Sequence, residues 1–175
     1  MKKSIIFFLI LSLSGYISKV TAQVSEEAQV NVSATILGAL SIESKGDADF
    51  GNISSTTSGE VFLDPQGSES AYVGATATAG KLLISGEGSQ SVRIGWNSPI
   101  TLTGEMDDID LTMAVSGSGL DIQADSDVLI ADAGFVTVSL VDGNYYVWIG
   151  GSLGTLNSKA AGLYTGTACF TVEYN

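Results

Sequence analysis

Apolar and polar residues alternate along most of this chain. Val30, Val32 and Ala34 alternate with Asn31, Ser33 and Thr35, and Val136, Val138 and Leu140 alternate with Thr137 and Ser139. The last residues carry the longest such pattern. Tyr164, Ala168, Phe170, Val172 and Tyr174 share one parity, while Thr165, Thr167, Cys169, Thr171 and Glu173 share the other. A period of two places one side of a strand on a core and the other toward water. The pattern predicts strands at 28–36, 39–43, 48–53, 59–64, 71–77, 81–85, 90–95, 99–103, 109–116, 135–141, 144–153 and 161–174. Ser126–Ala133 is read as a single short turn. Clusters of Gly, Ser, Asn and Asp separate the strands, which suits a sandwich or barrel. Asp142-Gly143-Asn144 lies between two strand patterns and reads as a tight hairpin, because Asp and Gly tolerate positive φ. No helical period longer than two turns occurs after the first residues, and there is no internal repeat or long linker. The expectation is one all-β domain, a two-sheet antiparallel sandwich, over residues 23–175.

The start of the chain breaks the pattern. Lys2 and Lys3 precede an apolar run from Ile5 to Leu13, and Val20-Thr21-Ala22 follows a weakly polar stretch. A charged start, a short apolar middle and small residues before a cut describe a secretory signal peptide. The expected leader is residues 1–22, a signal helix cleaved after Ala22. A membrane anchor is the rival reading, but the run is far short of the ~20 residues that a spanning helix needs. The mature chain is then expected outside the cytoplasm, in the periplasm, on the cell surface or in the medium, with no transmembrane segment.

Charge narrows the partners. The sequence has 7 basic and 19 acidic residues. Loss of Lys2, Lys3 and Lys19 with the leader leaves four basic residues against the same 19 acids, a net charge of −15. Such a surface repels phosphate backbones, so nucleic acid is excluded as a partner. The single cysteine, Cys169, cannot form an internal disulfide, and the fold must hold by burial alone.

Near the C-terminus the pattern resembles a known family. Tyr146-Val147-Trp148-Ile149-Gly150-Gly151-Ser152-Leu153 precedes Ala161-Gly162-Leu163-Tyr164-Thr165-Gly166-Thr167, and Phe170-Thr171-Val172-Glu173-Tyr174 closes the chain. Upstream, Asp49-Phe50-Gly51-Asn52-Ile53 follows Leu40–Ile42, and Gly59, Val61, Leu63 and Pro65 come next. Ile100-Thr101-Leu102 and Met113-Ala114-Val115 supply the middle. In this order they resemble the domain-of-unknown-function 4402 family of secreted bacterial proteins, over about residues 30–175. Ile149, Ser152 and Cys169 depart from the residues usual there. The resemblance implies an Ig-like or pilin-like β-sandwich outside the cytoplasm, and the family has no assigned activity or catalytic residues to carry over. The C-terminal pattern is also similar, more loosely, to fimbrial subunits and spore-coat-type secreted proteins.

Catalytic chemistry finds little support. There is no histidine, which removes the commonest general base and most transition-metal sites. Cys169 lies in an alternating strand with no adjacent base to activate it, and reads as a small strand filler or a site of intermolecular pairing. Glu105, Asp107, Asp108 and Asp110 crowd one loop and one strand start, whereas a glycosidase pair must face across a cleft. The chain is therefore expected not to be an enzyme, and no cofactor is expected apart from Ca2+. Asp107, Asp108 and Asp110 are the candidate ligands, because Ca2+ takes hard oxygen donors on irregular loops. A second group gathers at Asp121, Asp125, Asp127 and Asp132. Neither group follows a full calcium-loop pattern, so solvated acidic loops that keep the surface soluble are the favoured reading of both.

Two interaction candidates remain. If Val147 and Ile149 face inward, Tyr146 and Trp148 share the outer face as a contact surface. The opposite register, with Trp148 in the core as in many sandwiches, is also open and is favoured, because residues 144–153 are apolar on both parities and periodicity does not decide. Val30 and Val32, with Ala34 and Ile36, form what a donor strand needs to add to a neighbour's sheet, or else an ordinary first strand. The leading expectation is a secreted or cell-surface structural subunit, fimbria-like or coat-like, that self-associates or joins other surface proteins through strand edges. A monomeric binding module for carbohydrate or protein, assisted by Ca2+, is the alternative, and an outer-membrane barrel stands third.

Overall fold

A computed structural model describes residues 31, 33–131, 134–157 and 159–175. The expected leader, 1–22, and residues 23–30, thus including Val30, together with Val32, lie outside the described residues. Ten strands and one 3-10 turn follow in order. They are β1 (Ser41–Gly46), β2 (Val61–Leu63), β3 (Gly80–Ser85), β4 (Ser91–Trp96), β5 (Ile100–Thr103) and β6 (Asp108–Ser118). After a 3-10 turn at Gln123–Asp125 come β7 (Asp127–Val128), β8 (Phe135–Ser139), β9 (Asn144–Gly154) and β10 (Phe170–Tyr174).

All pairings are antiparallel, and they build two sheets. The larger has seven strands in the order β1-β3-β9-β6-β5, with β2 also on β9 and β7 also on β6. The smaller has three, in the order β10-β4-β8. Among the described residues neither closes on itself, and the fold is an all-β sandwich of two antiparallel sheets. Among the described residues, no helix is long and apolar enough to cross a membrane.

Alternation decides which side of each strand enters the core. On β9, Tyr145, Val147 and Ile149 face inward, in register with Ile84, Leu82 and Gly80 of β3. On β6, Ile109, Leu111, Met113 and Val115 do the same, and Val115 sits opposite Ile149. From the smaller sheet, Val92 and Ile94 of β4 meet them, flanked by Val136 and Val138 of β8 and by Phe170, Val172 and Tyr174 of β10. Ile84, Val92, Ile94 and Val147 are wholly excluded from solvent.

Strand β9 is the spine of the larger sheet, and its Gly150-Gly151 pair has a packing cause. At this point the same edge of β9 passes from β3 (Gly80 opposite Ile149) to β2 (Leu63 opposite Gly151). A Cβ on Gly150 would collide with the Leu63 carbonyl oxygen, and one on Gly151 with the Thr112 carbonyl oxygen. Only glycine lets the neighbouring backbones approach this closely.

Several sequence expectations need correction. Asp142 and Gly143 do adopt positive φ, at 49° and 79°, and Val141 pairs with Asn144 across them. They do not join a hairpin, however, because β8 lies in the smaller sheet and β9 in the larger. The turn is a corner between layers, and it docks on a second corner, between β3 and β4. Gly86 N donates to Gly143 O at 2.8 Å, and Gly143 N donates to Gly88 O at 2.7 Å. The expected strands at 48–53 and 71–77 reduce to the single bridges Asp49–Thr78 and Phe62–Ala71. The described residues of 28–36 form no strand. The described residues of the expected turn at 126–133 hold β7 instead, and the 3-10 turn comes just before them. Of 161–174, only Phe170–Tyr174 forms a strand. Its partner β4 ends at Trp96, opposite Phe170, and the chain then crosses at Asn97–Pro99 into the larger sheet. Residues 161–169 therefore have no ladder beside them beyond one bridge from Thr165 to Thr103.

Asp64, which the hydrophobic pattern does not mark, anchors the loop after β2. Asp64 is buried, with 6 % exposure. It accepts the backbone N–H groups of Gln66 (3.0 Å), Ser68 (2.8 Å) and Glu69 (2.8 Å) and the Ser68 hydroxyl (3.1 Å). Burial pushes its pKa up, but the donors together favour the charged form more strongly, and the net shift is downward.

Two outcomes follow for stability. Ile84→Ala should cost about 2–5 kcal/mol in urea melts, the range for emptying a tightly packed aliphatic site. Asp64→Asn should cost about 2 kcal/mol at pH 7, the scale of hydrogen bonds to a charged group. Because the folded state lowers the Asp64 pKa, its stabilisation is complete above the unfolded value of ~3.9 and is lost as pH falls through the folded value. The gap between wild type and Asp64→Asn should accordingly narrow below about pH 4.

Candidate functional site

The unequal size of the sheets opens a cleft. The inner face of the larger sheet extends beyond the three strands of the smaller one. There, Ile100, Leu102, Ile109, Leu111, Met113 and Leu153 form the floor of a cleft of about 970 Å3. Its walls are two irregular segments, 46–55 and 159–168, with Phe50, Ile53, Tyr164 and Ala168 turned to the interior. Phe170, at the start of β10, closes one side. Among the described residues, β10 hydrogen-bonds only to β4, and its other edge has no strand beside it.

The acidic residues near this cleft hold its wall. Asp107 accepts the Ala160 N–H at 2.7 Å through Oδ2, and Lys159 Nζ donates to the Asp108 carbonyl at 2.6 Å. The Tyr164 hydroxyl donates to the Ala160 carbonyl at 2.8 Å. Its pKa is raised, first by desolvation and then by the charges of Asp107 and Asp108. Asp110 lies on the exposed side of β6, where it accepts the Thr101 hydroxyl at 3.1 Å. Of the three candidate calcium ligands, Asp107 and Asp110 thus use a carboxylate oxygen on separate partners, while Asp108 contributes its backbone carbonyl. Among the described residues, no three carboxylate or thiol groups come together to hold a metal ion.

Tyr146 and Trp148 do share the outer face of β9. Their ring centroids lie 6.3 Å apart, and the ammonium of Lys81, on the neighbouring β3, sits 5.3 Å and 5.7 Å from the two centroids. Lys81 also pairs with Asp121. The pair is not a free aromatic platform, because Trp148 is only 4 % exposed. A small cap covers it, built from the Asp64 loop and the 3-10 turn. Gln123 Nε2 donates to the Pro65 carbonyl at 2.8 Å, and Gln66 Nε2 donates to the Ser126 carbonyl. The buried Ser126 hydroxyl bridges Gln123 O and the Ser116 hydroxyl. Sequence reasoning left two registers open for Trp148. The structure takes the first of these, with Val147 and Ile149 inward, but Trp148 on the outer face is covered and not exposed.

Cys169 is a free, exposed thiol between Ala168 and Phe170, on the rim of the cleft. Its backbone is fixed to the corner after β4, since Cys169 N donates to Asn97 Oδ1 at 2.7 Å. Periodicity alone could not reveal the cleft. Its floor residues read as core, and the failure of 161–169 to pair depends on where a distant strand ends.

No curated protein matches the chain. The description of one family, a domain of unknown function (DUF4402), matches residues 40–174. That span takes in every strand from β1 to β10, and the chain belongs to the DUF4402 family.

Proposed function

We propose that this chain is a non-catalytic structural subunit, exported from the cytoplasm, that assembles at the cell surface through its β-strand edges. The observation that carries this reading is the cleft beside the unpaired edge of β10. A sheet edge presents unpaired N–H and C=O groups, and an extended partner satisfies them while its alternate side chains fill pockets below. Phe170, the first residue of β10, lines the cleft, so a strand added at this end of the edge would reach the apolar floor as well. Export rests on the leader pattern at residues 1–22. The absence of histidine and the dispersal of the acidic side chains support a role without catalysis.

Assembly should be visible in the mature chain 23–175. Light scattering is expected to show species larger than one chain that grow with concentration. Leu102→Glu places a charge on the cleft floor and should weaken this association roughly thirtyfold, the effect of losing a contact worth about 2 kcal/mol. Its far-ultraviolet dichroism should stay that of the wild type. A wild-type chain that remains monomeric at every concentration contradicts the reading.

A further inference from the structure

We infer that the strand received by the cleft is the segment Val30–Ile36 of a second copy of this chain, laid along the free edge of β10. The inference rests on the assembly reading above and names its contact. The segment Val-Asn-Val-Ser-Ala-Thr-Ile has apolar side chains at 30, 32, 34 and 36 and small polar ones between. Laid out as a strand, its seven residues span about 23 Å, enough to run along β10 and on past Cys169, where residues 161–169 have no ladder.

Three further observations favour this occupant. Ile36 is 95 % exposed, so its side chain lies outside its own molecule's cleft. No charged residue occurs from Ala28 to Ile42 in a chain otherwise rich in acid. The segment can therefore enter an apolar cleft without desolvating a charge, and without adding to repulsion between two acidic copies. The segment precedes β1 and belongs to none of the described strands, so its use by a neighbour removes no strand from its own sandwich.

Geometry supplies a direct test. Phe170, Val172 and Tyr174 pack inward, so Cys169 faces out. On an added strand whose Val32, Ala34 and Ile36 point inward, Asn31, Ser33 and Thr35 face out on the same side. Directly opposed residues on adjacent strands have Cβ atoms ~5 Å apart, close to what a disulfide needs. The variants Asn31→Cys, Ser33→Cys and Thr35→Cys would be made in the full mature chain, oxidised mildly, and separated without reductant. At least one should yield a ladder of trimers and larger species. The ladder should vanish with reductant, with Cys169→Ser added, or with Val32→Asp added. Wild type, with one thiol, can reach only a dimer.

If no variant exceeds the wild-type dimer, the inference is overturned. An internal disulfide in a monomer overturns it too, by placing the segment in its own cleft. So does a monomer that carries a small apolar molecule in native mass spectrometry. Light scattering on the same samples separates the two levels. Continued assembly without a ladder removes only the named strand, whereas a persistent monomer removes the assembly reading as well.

Discussion

Ile84, Val115 and Val147 of the larger sheet pack against Val92 and Ile94 of the smaller one, and the rest of the molecule depends on that contact. There is no disulfide to share the load, since Cys169 is alone. Burial of apolar area therefore has to offset the chain entropy of a loop-rich domain. The contact also fixes the sense of every strand. A slip of one residue on β9 would bring Tyr146 and Trp148 inward and expose Val147.

That dry interior is shared unequally. Strand β4 is the centre of the smaller sheet and six residues long, and its end at Trp96 decides how far β10 can pair. Beyond it, the larger sheet still presents Leu102, Leu111 and Met113, covered by two irregular walls. The ties from Asp107, Asp108 and Tyr164 hold one of those walls in place. A molecule that needed only to be stable could have extended β4 by a few residues and closed the gap. The proposed role gives the short strand a purpose: it leaves room for a strand from outside.

Much of the sandwich was legible in the sequence, because alternation is a direct record of burial. The inward sets on β4 and β8 fall where period-two reading places them, whereas on β9, apolar on both parities, that reading left the register open. The errors share a cause. Residues 161–169 alternate as well as β10 does, but a strand needs a partner, and the partner's length is written about seventy residues away. Asp142-Gly143 states its own turn correctly and says nothing about which sheet each arm joins. The role of Asp64 was invisible because a carboxylate that binds its own loop has no periodic signature. Trp148 was ambiguous because a cap from two distant segments, not the sandwich core, covers it.

The central claim is that the wall and edge next to β10 are open in a single chain and closed in the assembly. Backbone hydrogen exchange, followed by mass spectrometry on dilute and concentrated mature chain, reads this directly. Amides of β6 and β9 should be slow in both samples. Those of residues 161–172 should exchange fast when dilute and become protected when concentrated. Slow exchange throughout 161–172 in the dilute chain, or no change on concentration, would contradict the account.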